Sequence, residues 1–226
     1  MNQPRAPKHV AGIGMTSQRT RERMVERLRE QGAGSARVLA AMASVPRHIF
    51  VEEALASRAY EDSALPIGYG QTISQPYVVA YMITELARER ELGKVLEVGT
   101  GCGYQAAVLA TLAAEVYSVE RIREMLERAR ANLRALRLSN LRLAYGDGAE
   151  GLEKAAPFDS IIVAAAADEP PPALLRQLAR GGRMVLPLRE PGAGPQRLVV
   201  MDRTRTGYAE SVLDPVRFVP LRAGKA

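Results

Sequence analysis

The stretch best suited to bind a ligand is an acid followed by alternating glycines: Glu97, Gly99, Gly101 and Gly103. A short apolar run precedes the acid and a helix-like run, 106–110, follows the glycines, which predicts a strand, a loop and a helix. Such a loop lets a ligand approach the backbone, and the N–H groups at the start of the helix point at that ligand. Dinucleotide-binding loops have the spacing G-x-G-x-x-G, and here the second spacing is one residue shorter. The alternative to a cofactor loop is a glycine-rich turn with no ligand.

Two more acids stand at the ends of predicted strands that follow this loop. Glu120 ends the strand predicted at 115–120, and Asp147 follows the strand predicted at 140–145. An acid at the tip of the second strand can accept hydrogen bonds from both hydroxyls of a ribose. Asp147 can accept from the amino group of adenine, with Gly148 leaving room for the ring. The alternatives are a solvated acid at Glu120 and a plain turn at Asp147.

A segment rich in proline and glycine, 65–76, precedes the glycine loop and predicts a loop over the binding site. It leads into a helix predicted at 77–90. Ser74 is near the cap position of that helix, and from its position alone a plain helix cap is the better interpretation. The small residues Ala164–Ala167, at the tip of the strand predicted at 158–167, leave room for a bound peptide backbone or for tight helix packing.

Strands and helices alternate through the middle of the chain, which predicts an α/β fold with a mostly parallel, doubly wound, Rossmann-like sheet. Ligands of such sheets bind in the crevice at the carboxyl ends of the strands, where the candidate residues fall. Additional N-terminal helices are predicted at 17–31 and 35–44. Strands predicted at 196–202 and 210–220 form an antiparallel C-terminal edge of the sheet.

The composition indicates a soluble globular protein without a metal site. The 226 residues are 47% apolar and 25% charged, as is usual for one domain. A single cysteine excludes an internal disulfide, and two distant histidines exclude an ordinary zinc cluster. No apolar run is long enough to span a bilayer, and residues 1–14 lack the apolar core of a secretion signal. We therefore expect a cytoplasmic protein with no membrane contact.

The predicted organisation is a disordered tail, 1–14, followed by one domain, 15–226. Within the domain, the N-terminal helices and the site loop occupy 15–90, the cofactor-binding core 91–190 and the C-terminal strands 191–226. The net charge is +6, with an excess of Arg and Lys near the N-terminus. Such an excess can contact nucleic acid, but a solvated tail is the favoured interpretation because the chain contains no recognised nucleic-acid module.

Two segments, GYGQTISQPYVVA and EVGTGCGY, together resemble the protein L-isoaspartate O-methyltransferase family of the class I S-adenosylmethionine-dependent methyltransferases. The resemblance extends over 17–221. Ser74 matches the serine of the family's T-I-S-x-P signature, which is assigned to the active site. The chain departs from some relatives at Tyr77 and Val79, where they have histidine, and at Cys102, where serine is common. We interpret Cys102 as a small packing residue.

The resemblance implies that S-adenosyl-L-methionine is the methyl donor and S-adenosyl-L-homocysteine the product. It implies that Ser74 is catalytic and orients the acceptor carboxylate, which is already ionised near neutral pH and needs no strong general base. The implied substrates are isoaspartyl-containing proteins and peptides, methylated by a monomer with no stable nucleic-acid partner. The implied cofactor-binding residues are Gln71, Thr72, Ile73, Ser74, Glu97, Gly99, Thr100, Gly101, Gly103, Glu120, Arg121, Asp147 and Gly148.

Two alternatives to this function stay open. A class I methyltransferase that acts on RNA or a small molecule shares the glycine loop but does not need the T-I-S-x-P segment. A non-catalytic relative would bind the cofactor and act as a partner protein, and the intact Ser74 weakly disfavours it. Amino methyltransferases of nucleic acids often carry an N/D-P-P-Y/F run after the fourth strand, where this chain has Ala164–Ala167.

Overall fold

The computed structural model describes residues 12–192 and 194–226. The predicted disordered tail lies almost entirely outside the described residues, and a short 3-10 helix begins at Gly14. The α-helices are α1 (Gln18–Glu30), α2 (Ala36–Ser44), α3 (Pro76–Ala87), α4 (Tyr104–Ala110), α5 (Arg123–Leu133) and α6 (Pro172–Gln177). The strands are β1 (Leu65–Gly68), β2 (Gln71–Ile73), β3 (Lys94–Val98), β4 (Glu115–Glu120), β5 (Leu141–Tyr145), β6 (Phe158–Val163), β7 (Leu178–Arg189), β8 (Gln196–Arg203) and β9 (Tyr208–Val216).

A seven-stranded sheet with the order β5-β4-β3-β6-β7-β8-β9 forms the centre of the molecule. The first five strands in this order run parallel, and β8 and β9 continue the sheet antiparallel. The predicted fold class, with its antiparallel C-terminal edge and N-terminal helices, is therefore confirmed. The chain reverses its direction of winding between β3 and β6, and such a switch point opens a crevice for ligands at the carboxyl ends of the strands.

The central strand β3 carries the glycine loop at its carboxyl end. Its side chains are buried on both faces, as in a parallel strand covered by helices. Val95 belongs to a core shared with α1 to α5, whereas Leu96 belongs to a second core on the other face, together with Leu174 of α6. Alternate side chains thus hold β3 between two helical layers, which fixes the position of the loop that follows.

The segment predicted as an open loop, 65–76, contains an antiparallel hairpin formed by β1 and β2. Its tip reverses through Gly68, Tyr69 and Gly70, with φ values of +88°, +53° and +69°. Tyr69, the aromatic residue of this hairpin, is 58% exposed at its tip. Arg128 of α5 donates to the Ile67 carbonyl oxygen at 2.8 Å and tethers the hairpin beside the glycine loop.

The sequence pattern of 172–180, followed by Gly181 and Gly182, predicts a helix that is capped by these two glycines. In the structure the helix ends earlier, at Gln177, and β7 begins directly after it. Leu178 is buried and pairs with Phe158 of β6. The register between β6 and β7 shifts after this pair, between Phe158 and Ser160. The two glycines at 181–182, which suggested a helix cap, therefore lie within β7. Pairing and burial against β6 override the local pattern here.

No helix among the described residues is long and apolar enough to cross a membrane.

Candidate cofactor and substrate site

A pocket that is open to solvent lies at the carboxyl ends of the central parallel strands. Glu97, Gly103 and Asp147 do not line this pocket, although sequence reasoning placed them with the others. The predicted residues that do line it are Gln71, Thr72, Ile73, Ser74, Gly99, Thr100, Gly101, Glu120, Arg121 and Gly148. The structure thus brings together the hairpin, the glycine loop and the ends of β4 and β5.

The glycine loop is held by main-chain hydrogen bonds to the neighbouring strand. The N–H groups of Gly99 and Thr100 donate to the Val119 carbonyl oxygen at 2.9 and 3.3 Å. Gly99, Gly101 and Gly103 all have positive φ, which other residues reach only with strain. A Cβ atom on Gly103 would lie 2.9 Å from the Leu133 side chain, so this third glycine allows α5 to pack behind the loop.

Glu120 stands at the tip of β4, buried and on the pocket wall. Its Oε1 atom accepts from the N–H groups of Arg121 and Ile122 at 2.9 and 3.0 Å. Its Oε2 atom accepts from the Gly101 N–H at 2.9 Å. Because a carboxylate has about four lone-pair sites, three main-chain donors fix its orientation and leave Oε2 able to accept from a ligand hydroxyl. This remaining site suits one of the two ribose hydroxyls that the sequence analysis assigns to Glu120.

Glu97 lies beneath the glycine loop and is fully buried. The Ser118 hydroxyl donates to its Oε2 atom, and the Ser118 and Thr100 hydroxyls are hydrogen-bonded at 2.6 Å. Burial raises the pKa of Glu97 to about 8, against the opposing effects of Ser118 and the Gln105 amide. At neutral pH Glu97 is therefore mostly protonated, and it supports Thr100 of the loop from below rather than offering charge to the pocket.

Glu97→Gln is expected to remove a pH dependence of stability. The folded-state pKa of about 8 lies above the ordinary value of 4.5, so between these values the unfolded chain releases a proton that the folded chain keeps. The wild-type free energy of unfolding should therefore fall as pH rises from about 5 to 8, by up to about 1.4 kcal/mol per pH unit. Urea denaturation across this range should show a smaller decrease for the variant. Parallel pH profiles for the two proteins would contradict the burial argument.

Asp147 is turned away from the pocket and toward the end of the chain. Its Oδ1 atom accepts from the Ala149 N–H at 2.9 Å, and its Oδ2 atom accepts from the Gly224 N–H. The segment 219–222 lines the pocket instead. Two main-chain hydrogen bonds hold it there: the Ala166 N–H donates to the Val219 carbonyl oxygen, and the Leu221 N–H donates to the Ala166 carbonyl oxygen. The sequence analysis does not place this segment at the cofactor, because nothing in the local sequence shows that it folds back over β6.

Ser74 lines both this pocket and a second, adjoining cavity, so it lies on the wall between them. The second cavity is lined by aromatic, apolar and charged residues, including Tyr77, Tyr81, Asp214 and Arg217. The cap position of α3 is occupied by Gln75, and the Tyr77 N–H donates to Asp62 at 2.9 Å. The helix-cap interpretation of Ser74 therefore finds no support in this arrangement, and the hydroxyl is available to a ligand.

Comparison with known proteins places this geometry in a family. The protein-L-isoaspartate(D-aspartate) O-methyltransferase family matches residues 18–226. The chain belongs to this family. A protein-L-isoaspartate O-methyltransferase of Dechloromonas aromatica is 64% identical over 214 residues, covering 94% of this chain and 98% of that protein. One of Azoarcus sp. is 62% identical over 208 residues, covering 91% and 94%.

Solved structures agree with the family assignment. A protein-L-isoaspartate O-methyltransferase superposes with a TM-score of 0.81 at 29% identity, over 88% of this chain and 65% of that longer chain. A Plasmodium falciparum protein described as a putative family member, in complex with S-adenosyl-L-homocysteine, has a TM-score of 0.78 at 24% identity, over 89% and 98%, and supports the fold. The predictions of family, fold and an S-adenosylmethionine-dependent methyltransferase are confirmed.

The residues around the pocket fit S-adenosyl-L-methionine. Gln105 is buried on the pocket wall near the Glu97 carboxyl, but its Nε2 atom does not reach hydrogen-bond geometry with that carboxyl or with any other group in the described part of the chain. Because an unsatisfied buried donor is costly, an acceptor on a bound ligand would stabilise it. The Glu120 carboxylate offers an acceptor to ribose hydroxyls, and Val119, Ile122 and Leu221 provide apolar surface for a ring.

Proposed function

We propose that this protein transfers the methyl group of S-adenosyl-L-methionine to the α-carboxylate of L-isoaspartyl residues in damaged proteins and peptides. The observation that carries the proposal is the position of Ser74 between two adjoining cavities. One cavity has the residues that suit the donor, and the other has room for a peptide. We further propose that it acts in the cytoplasm as a monomer, without a stable nucleic-acid partner.

The donor would be held by the residues of the first pocket. When bound, S-adenosylmethionine supplies a methyl group on a positively charged sulfur. Glu120 would accept from the ribose hydroxyls, Gln105 would donate to the amino-acid part, and the main chain of Gly99–Gly101 would lie against it. Residues 71–74, which comprise β2 and the residue after it, also line this pocket and would shield the bound donor from water.

The acceptor would lie in the second cavity with its carboxylate next to Ser74. That carboxylate is ionised near neutral pH, so the protein's task is to orient it and not to remove a proton. The Ser74 hydroxyl would donate to one carboxylate oxygen and direct the other toward the donor. The end of β9 and the segment 215–219 line this cavity, where main-chain groups can hold an extended peptide by strand addition.

Ser74→Ala is expected to lower kcat by about tenfold to a hundredfold, the equivalent of about 1–3 kcal/mol for one lost hydrogen bond in a water-excluded site. The affinity for S-adenosylhomocysteine should change much less, because Ser74 forms only one edge of that pocket. Ser63→Ala is a matched control, since Ser63 lies nearby but lines neither cavity. Unchanged turnover in a folded Ser74→Ala protein would return this serine to a structural role.

The reaction type is tested by the chemistry of the product. Incubation with an isoaspartyl peptide and methyl-labelled donor should place the label on the peptide as an ester, which mild alkali releases as methanol. Methylated bases in RNA keep their label under the same treatment. Label found on RNA and not on the peptide would favour the RNA methyltransferase alternative.

A further inference from the structure

Arg47 is a fully buried cation that lines neither cavity. It begins the short 3-10 helix Arg47–Phe50, directly after Pro46. Its guanidinium donates to main-chain oxygens, and its Nη1 atom has no hydrogen-bond partner within the described ranges. Burial lowers the pKa of Arg47 from its ordinary value. Burying a charge costs stability unless the charge is fully paired. A buried and incompletely paired Arg47 is therefore better explained by a role in function than by a role in stability.

The guanidinium of Arg47 contacts both sides of the site. Its Nη2 atom donates to the Ser74 carbonyl oxygen at 2.7 Å, and Nε donates to the Ala59 carbonyl oxygen at 2.8 Å. The guanidinium carbon lies 4.7 Å from the centre of the Tyr104 ring. Tyr104 follows the glycine loop directly and lines the donor pocket. The Arg47 side chain therefore connects Ser74, next to the proposed acceptor, with Tyr104 at the start of α4, next to the proposed donor.

We propose that Arg47 is a positioning residue that fixes Ser74 relative to the glycine loop, an inference that rests on the proposed function. Asp62 also holds the residues that follow Ser74, since it accepts from the Gln75 side chain at 3.0 Å and from the Tyr77 N–H at 2.9 Å. Small misplacements of reacting groups can lower a rate about a hundredfold. Fixing the main chain at Ser74 thus sets the line between acceptor oxygen and methyl group.

The planar guanidinium is suited to this role in a way that an ammonium group is not. It donates to the main-chain oxygens of both Ala59 and Ser74, while its central carbon lies over the Tyr104 ring. A lysine ammonium is a point charge at the end of a flexible chain and cannot make these contacts together. Arg47→Lys should therefore keep the buried charge and lose the connection between the two walls.

The test compares Arg47→Lys and Arg47→Met with the control Arg21→Met. Arg21 is also buried, and it donates to the Ser44 carbonyl oxygen at 3.3 Å but lines neither cavity. With an isoaspartyl peptide, well below each variant's Tm, both Arg47 variants should lose about tenfold or more in kcat. Their peptide KM and their Kd for S-adenosylhomocysteine should stay within about threefold, and the control should keep its kcat within about twofold.

Hydrogen exchange provides a second measurement that does not depend on activity. The segment 65–77 should exchange faster in Arg47→Lys than in the wild type or Arg21→Met, with β3 unchanged. If Arg47→Met does not fold, Arg47→Lys alone decides. A wild-type kcat in Arg47→Lys overturns the proposal. The proposal is also overturned if the faster hydrogen exchange in Arg47→Lys is no more confined to 65–77 than it is in Arg21→Met. A wild-type protein with no methyl transfer refutes the proposed function, and the exchange comparison then still supports or overturns the positioning role.

Discussion

Glu120→Ala is expected to weaken binding of S-adenosylhomocysteine by about a hundredfold or more, the equivalent of about 3 kcal/mol for hydrogen bonds from hydroxyls to a buried carboxylate. The loss has two sources. The ribose hydroxyls lose their acceptor, and the N–H groups of Gly101, Arg121 and Ile122 lose the oxygens that now hold them. The second effect loosens the glycine loop itself, so the donor pocket becomes both less complementary and less ordered.

Calorimetric titration with S-adenosylhomocysteine measures this effect. Glu115→Ala is the matched control, because Glu115 begins the same strand and is half-exposed, far from the pocket lining. It should bind with wild-type affinity. An affinity for Glu120→Ala within about threefold of the control would show that this carboxylate does not hold the ligand. Binding of NAD in place of S-adenosylhomocysteine would remove the basis of the cofactor assignment altogether.

The position of Glu120 could be predicted from the sequence because it depends on local patterns alone. Apolar runs locate the parallel strands, and the parallel arrangement brings their carboxyl ends to one edge. Gly99, Gly101 and Glu120 fall at such ends in the structure as in the sequence analysis. The same reasoning works for the sheet edge formed by β8 and β9, where turns and strand spacing predict a change of direction.

The contacts of Asp147 could not all be predicted from the local sequence pattern, because one of them involves a residue that is distant in sequence. Its position after β5 suggests an adenine contact, but its carboxylate accepts from Ala149 and from Gly224, which is distant in sequence, and it does not line the pocket. The return of the chain end across β6 depends on long-range pairing with Ala166. No periodicity in 219–226 indicates where that segment ends up, so its contribution to the pocket appears only in the folded structure.

The burial of Glu97 and Arg47 could not be predicted from the sequence either. Both residue types are usually solvent-exposed, and nothing in the flanking sequence states that these two are fully buried. Burial changes their chemistry: Glu97 takes up a proton, and Arg47 donates to main-chain oxygens of distant segments. A sequence can therefore indicate which residues surround a ligand while leaving open which of them support the site from behind.

The largest difference in rate is expected between two forms of one substrate. An isoaspartyl linkage routes the peptide main chain through the side-chain carbon and leaves the α-carboxylate as a short branch. Ser74 and the 215–219 segment border the same cavity, so a peptide held there by its main chain presents that branch to the donor. A normal aspartyl residue displaces the carboxylate by one methylene, and such a misplacement can cost about a hundredfold.

Main-chain recognition also explains how one cavity can accept many damaged proteins. Contacts with peptide N–H and C=O groups do not depend on the neighbouring side chains. Selectivity then comes from the distance between the held main chain and Ser74, and not from a pocket for a particular residue. Changing the residues on either side of the isoaspartyl group should consequently alter kcat/KM far less than changing the linkage itself.

The proposed substrate is tested by the ratio of kcat/KM for one peptide in its isoaspartyl and normal aspartyl forms. Both forms have the same composition and charge, so the ratio reports the effect of the linkage alone. We expect the isoaspartyl form to be preferred by about a hundredfold or more. Comparable values for the two peptides, or methylation of RNA with neither peptide modified, would contradict the proposed function.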